Sequence, residues 1–191
     1  MKIILIGFMS SGKTFFAKHL SDCLNLENVR MDEMVQKRSK RQSIKEIFDK
    51  DGEIVFRKLE IETAESLQNK TNVVIDTGGG VVENKINLDY LKKDGMVIFL
   101  YSPLEVIEKR MSNNVDRPLW QDKKRFGRLY HLRLPLYHFF ADEVVNTGEI
   151  NFFSPDEESY KMNSGARKIL EDILEKVNNY KKKMTYDNRR N

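Results

Sequence analysis

The chain has 191 residues, 40% of them hydrophobic and 32% charged, a balance that suits one globular domain with its own core and excludes a disordered chain. No apolar run reaches the length of a membrane span, and the N-terminus enters an apolar strand pattern without the marks of a secretory signal. The single cysteine excludes an intrachain disulfide framework and suits a reducing cytoplasm, while a net charge of +4 is too modest to ask for a nucleic-acid partner.

Short apolar runs alternate with helix-period stretches, the pattern of a parallel α/β sheet. Strands are expected at 2–6, 28–30, 73–76, 96–101 and 143–146. Helices are expected at 13–25, 32–40, 43–50, 53–69, 84–94, 103–113, 123–140 and 165–181. The first strand runs into Gly7-Phe8-Met9-Ser10-Ser11-Gly12-Lys13-Thr14, a G-x-x-x-x-G-K-T loop between strand and helix. Such a loop turns its backbone N–H groups toward a polyphosphate, with a helix N-terminus behind them. Gly7, Ser10, Ser11, Gly12, Lys13, Thr14 and Phe15 are therefore the candidate nucleotide contacts. Lys13 would reach the β- and γ-phosphates, and the Thr14 hydroxyl would ligate Mg²⁺. Cys23, on the amphipathic helix that follows, reads as a small buried hydrophobe.

Asp32 follows the second strand at the carboxyl edge, where α/β folds place ligands. It can serve as a helix N-cap or as the group that takes a proton from an attacking hydroxyl. Arg57 and Glu60 are three apart on one helix face, which suits a surface ion pair or a guanidinium held ready for an anion. Val73-Val74-Ile75-Asp76 leads through Thr77 into Gly78-Gly79-Gly80. The glycines allow close approach of a substrate, and Asp76 resembles the magnesium carboxylate of a Walker B strand. Gly95 fits a helix stop and Pro103 the first turn of a helix. Arg110 and Arg117 flank an irregular stretch expected to form a mobile lid over about 112–124, which also carries Trp120. An arginine on a closing lid can neutralise charge on a transferred phosphoryl group. Arg133 adds a cation on a later helix, and 147–164 reads as a long surface connection. One domain is expected over 1–181, followed by a basic, flexible tail at 182–191. No long heptad or obvious apolar patch asks for a partner, so a monomer is expected.

Together the motifs resemble the shikimate kinase family over roughly residues 1–147. The likeness rests on the loop at Gly7 to Thr14, Asp32, Phe56-Arg57-Lys58-Leu59-Glu60, Thr77-Gly78-Gly79-Gly80, Arg117-Pro118-Leu119 and Arg133-Leu134-Pro135-Leu136-Tyr137, in matching order and spacing. It implies transfer of the γ-phosphate of ATP, with Mg²⁺, to the 3-hydroxyl of shikimate. The implied fold is three-layered, with a five-stranded parallel sheet ordered 2-3-1-4-5 and substrate-binding helices over about 32–69. Asp32 would contact the substrate hydroxyls and help activate the nucleophile, with Lys13 and Arg117 acting on the phosphates. Arg57 and Arg133 would grip the carboxylate, Gly78, Gly79 and Gly80 would line that pocket, and Arg110 would lie against adenine.

The chain departs from the family pattern in three places. Arg30 stands where the family often has an aspartate near Mg²⁺, and Asp76 stands where it usually has a small or neutral residue, so the metal carboxylate is expected to have moved to Asp76. Ser10 replaces a common loop glycine and is expected to keep φ below zero. The alternatives are another small-molecule kinase, acting on gluconate or a nucleoside monophosphate, and a nucleotide-binding regulatory module without transfer activity.

Overall fold

In the computed structural model, which describes residues 1–112, 122–149 and 162–187, five strands build one parallel sheet in the order β2-β3-β1-β4-β5. They are β1 (Lys2–Ile6), β2 (Glu27–Arg30), β3 (Val73–Asp76), β4 (Gly95–Tyr101) and β5 (Glu143–Asn146). The helices are α1 (Lys13–Leu24), α2 (Met31–Ser39), α3 (Ile44–Lys50), α4 (Gly52–Ser66), α5 (Lys85–Lys92), α6 (Leu104–Met111), α7 (Lys123–Phe140) and α8 (Ser164–Asp187). This is the α/β class, sheet order and layering expected from the sequence.

Central strands buried on both faces have no polar side, which is why β1 is a continuous apolar run after Lys2. Alternate residues serve opposite layers. Ile3 and Leu5 pack with Phe16, Leu20, Ile173 and Val177 from α1 and α8. Ile4 and Ile6 pack with Leu88, Leu91, Phe126 and Tyr137 from α5 and α7. A smaller core of Val35, Ile47 and Phe56 joins α2, α3 and α4 into a platform beside the sheet.

Chain order reverses at β1, which lies between β3 and β4, so ligands should collect at the carboxyl ends of these strands. Register aligns those ends: Leu5 pairs with Asp76, Ile6 with Phe99, and Arg30 with Asp76. The phosphate loop, Asp32, Asp76 and the triple glycine therefore leave the sheet along one edge.

Several local expectations are corrected. Gly95 opens β4 instead of stopping a helix; α5 ends at Lys92, and Asp94 makes the turn at φ 54°. A Cβ at Gly95 would lie 2.6 Å from Ile4 Cδ1, so packing on β1 explains the glycine. Pro103 caps α6 from just outside. Cys23 is exposed, because the buried stripe of α1 runs through Phe16, Ala17, Leu20 and Ser21. α8 continues to Asp187, through lysines that favour helix and without a glycine or proline breaker. No helix among the described residues is long and apolar enough to cross a membrane.

Candidate active site

The loop after β1 forms a tight cradle. Gly7 adopts φ +150°, and a Cβ there would meet the Leu100 carbonyl oxygen at 2.6 Å and Ser11 Oγ at 2.7 Å. Gly12, at φ 97°, turns the chain into α1. Ser10 also takes a positive φ, 59°, which overturns the expectation that it stays negative. The curl of the loop requires this, and its neighbours hold it: Arg110 Nη1 donates to the Ser10 carbonyl at 2.9 Å, and Ser10 Oγ lies 3.0 Å from Met111 Sδ. A left-handed non-glycine residue costs about 1–2 kcal/mol, partly offset in the unfolded chain. Ser10→Gly should therefore stabilise the fold by up to about 1 kcal/mol in thermal unfolding; a lower midpoint would show the serine contacts to outweigh the strain.

Lys13 is buried and donates to the carbonyls of Gly7 and Phe8 at 2.9 and 3.0 Å, which keeps the ammonium inside the loop. Ser11 is fully buried beneath it. The Phe15 ring packs against Phe16 and His19. Thr14 Oγ1 donates to Asp76 Oδ2 at 2.7 Å, joining the last loop residue to the end of β3. Burial pushes Asp76 above the usual carboxylate range, against the pull of Lys13 and the Thr14 hydrogen bond. Arg30 Nε lies 3.9 Å from the same Asp76 oxygen, and its Nη1 pairs with Glu33. Hydroxyl and carboxylate oxygens are hard donors that suit Mg²⁺. Among the described residues no group of three or more His, Cys, Asp or Glu forms a metal cage.

Asp32 lies in the first turn of α2, whose N-cap is Arg30, so the capping alternative is excluded. Its carboxylate is exposed toward the triple glycine: a Cβ on Gly78 would lie 2.7 Å from Asp32 Oδ1. A Cβ on Gly80 would overlap Arg57 Nη1, whereas one on Gly79 would make only ordinary contacts. Two of the three glycines thus make room for the chemical side chains themselves. Gly80→Ala should push the flexible Arg57 head aside, lowering kcat/KM about 10- to 100-fold, as a misplacement near 1 Å can. A kcat/KM within threefold of wild type would show that Arg57 tolerates the methyl group.

Arg57, on α4, donates from Nη1 to Glu60 at 2.9 Å and from Nη2 to Glu53 at 3.2 Å. Burial pulls its pKa down, but Glu60 and Glu83 outweigh that and leave it above its ordinary value. Burial raises Glu60 in turn, opposed by Arg57. The simple surface ion pair is therefore excluded, because Glu60 is only 2% exposed. Arg133 comes from α7, buried over the Phe8 ring at 5.8 Å, and its Nε donates to Glu83 Oε1 at 3.1 Å. Tyr137, one helical turn further, donates to the Gly79 carbonyl. Arg57 and Arg133, distant in the chain, converge on the carboxylate of Glu83 beside Gly80.

Arg110 is buried, donating to Ser10 O and Ser102 Oγ at 2.9 Å each and to the Thr147 carbonyl. Burial pulls its guanidinium down to about 10. Thr147 Oγ1 donates to the Ser11 carbonyl at 2.9 Å, so a polar network ties the phosphate loop to the ends of β4 and β5. Arg117, Trp120 and most of the expected lid lie outside the described residues, as does most of the 147–164 connection.

Glu83, Ser102 and Thr147 were not singled out in the sequence. A carboxylate three residues after a triple glycine, at the same sheet edge, is the signal that could have found Glu83.

The family model for shikimate kinase matches residues 9–178. A shikimate kinase of Aquifex aeolicus is 46% identical over 119 residues, covering 62% of this chain and 70% of that protein. A bifunctional shikimate kinase/3-dehydroquinate synthase of Thermotoga maritima is 38% identical over 152 residues; the chain spans only 30% of that longer protein. Among solved structures, the shikimate kinase of Acinetobacter baumannii in complex with shikimate superposes with a TM-score of 0.78 at 30% identity, covering 94% of each chain. Family model, sequence relatives and fold agree: the chain belongs to the shikimate kinase family.

Proposed function

We propose that this protein transfers the γ-phosphate of ATP to the 3-hydroxyl of shikimate. The observation that carries the reading is the convergence of Arg57 and Arg133 beside Gly80, on the same sheet edge as Lys13, Thr14 and Asp32. Two guanidinium forks suit a ring carboxylate, to which arginine binds bidentately. Asp32 then meets the hydroxyls at the other end of the ring.

Lys13 and the loop N–H groups of Gly7, Ser10, Ser11 and Gly12 hold the triphosphate. Asp32 accepts the proton of the attacking hydroxyl, whose oxygen forms the new bond to the γ-phosphorus as the bond to the ADP oxygen breaks. Thr14 and Asp76 are the residues that would hold Mg²⁺, which when bound neutralises charge on the β- and γ-phosphates. Arg117 is assigned to the transferred group and Arg110 to the adenine side. Positioning and charge stabilisation do most of the work in such transfers. The reading carries with it a cytoplasmic monomer without nucleic-acid or membrane partners.

The test is ADP release with ATP and Mg²⁺ on offering shikimate, gluconate or nucleoside monophosphates. Turnover confined to shikimate is expected; turnover with gluconate or a nucleotide, or with no acceptor, would overturn the reading.

A further inference from the structure

Glu83 ends the single 3-10 turn Val81–Glu83 that follows the triple glycine. Its carboxylate binds Arg133 through two contacts, Nε to Oε1 at 3.1 Å and Nη2 to Oε2 at 3.0 Å. Oε2 also accepts from Arg57 Nη2. One carboxylate of the protein therefore bridges the two arginines assigned to the substrate carboxylate. The three acidic neighbours of this pair differ in their freedom. Glu60 has a side chain only 3% exposed and is Arg57's fixed counter-ion. Glu53 lies on the outer rim, its side chain 60% exposed. Glu83 is 31% exposed, buried enough to hold both guanidinia and open enough to rotate away.

We propose that Glu83 is an internal competitor that sets the affinity of the acceptor site: a carboxylate that occupies the arginine pair and yields it to the incoming acceptor. This rests on the shikimate kinase reading above. A second anion cannot use the same N–H donors while Glu83 holds them, and like charges side by side repel. A ligand that binds both arginines through these donors must exchange its carboxylate for that of Glu83, so the net gain from its charge is small. What remains to drive binding is contact with the rest of the ring, above all the hydroxyls that face Asp32. Glu83 in this way weakens every carboxylate by the same factor, so an anion without hydroxyl contacts keeps little affinity while a hydroxylated acceptor still binds.

The experiment compares wild type, E83Q and E83D. Dissociation constants are measured by NMR titration for shikimate and for cyclohexenecarboxylate, which keeps the ring carboxylate and lacks the hydroxyls. Steady-state KM and kcat for shikimate are measured beside them. E83Q should bind cyclohexenecarboxylate about tenfold more tightly than wild type, the scale of one charge-assisted contact no longer exchanged. The gain for shikimate should be of similar size, so both constants tighten with their ratio nearly unchanged, and KM should fall by a larger factor than kcat changes. E83D, with the charge kept but a shorter reach, should shift the same way by less. If E83Q, folded by its thermal transition, binds either ligand no more tightly than wild type, Glu83 aligns the arginines instead and the proposal falls. If E83Q does not fold, E83D decides alone: cyclohexenecarboxylate bound no more tightly than by wild type overturns the proposal. A wild type that fails to phosphorylate shikimate would refute the functional reading, whereas the cyclohexenecarboxylate comparison would still decide the role of Glu83.

Discussion

Asp32→Asn should lower kcat by about 10²–10⁴, the range lost when a positioned general base is removed. The change preserves size and hydrogen-bonding oxygen, and Asp32 is exposed in the first turn of α2 without capping it, so folding should be nearly unaffected. The carboxylate sits where a Cβ on Gly78 would be, at the carboxyl edge shared with Thr14 and Asp76. A hydroxyl resting on Gly78 would therefore face Asp32 and Glu60, while Gly79 beside it backs onto the phosphate loop. Asparagine can still accept a hydrogen bond from such a hydroxyl but cannot take its proton. Shikimate binding, carried mainly by the arginine pair, should accordingly weaken less than about tenfold, the value of one hydrogen bond. Single-turnover measurements with saturating ATP separate the two effects. A kcat above a tenth of wild type would mean that the hydroxyl loses its proton without help and that Asp32 only positions the ring.

The phosphate loop was readable because its chemistry depends on near neighbours: the spacing of Gly7, Gly12, Lys13 and Thr14 defines the cradle wherever the strand and helix lie. The pocket proposed for the carboxylate is different, because Arg57 and Arg133 come from helices far apart in the chain. Locally Arg57 and Glu60 look like any i, i+3 pair; only the burial of Glu60 and the approach of α7 change their meaning. Glu83 escaped notice for the same reason, since its partners are both remote. The triple glycine was recognised, but its reason was incomplete: at Gly78 and Gly80 the space is taken by Asp32 and Arg57, two side chains the local sequence does not bring near. Ser10 shows the limit for backbone angles, because its positive φ is imposed by the loop and by Arg110, against the preference of serine itself. Arg110, for which the resemblance implies an adenine contact, is a buried strut joining the loop to Ser102 and Thr147.

Asp76→Asn should raise the Mg²⁺ concentration for half-maximal velocity by about 10- to 100-fold, the usual cost of losing a partner of a metal site. The side chain is 7% exposed and its oxygen accepts the Thr14 hydroxyl at 2.7 Å, so asparagine can keep the packing and the hydrogen bond while losing the charge. Burial raises the Asp76 pKa, so at neutral pH the fold bears the cost of holding an ionised group. The linkage sign follows: a raised folded-state pKa makes the charge unfavourable above the unfolded value, so removing it should not lower the melting temperature. Loss of Mg²⁺ response without loss of stability then assigns the carboxylate to the metal. Arg30 sharpens the test, because it faces Asp76 across the β2–β3 register with Nε at 3.9 Å. The pair places a cation and a carboxylate where the family pattern more often has a carboxylate and a small or neutral residue. Arg30→Asp combined with Asp76→Asn puts the carboxylate back on the neighbouring strand, at the same height on the sheet edge. That double variant should recover at least tenfold of the lost Mg²⁺ response, about 1.4 kcal/mol of coupling between the two positions. An Asp76→Asn enzyme with unchanged Mg²⁺ activation would leave Thr14 and the phosphates as the only ligands and reduce Asp76 to a partner of Arg30 and Thr14.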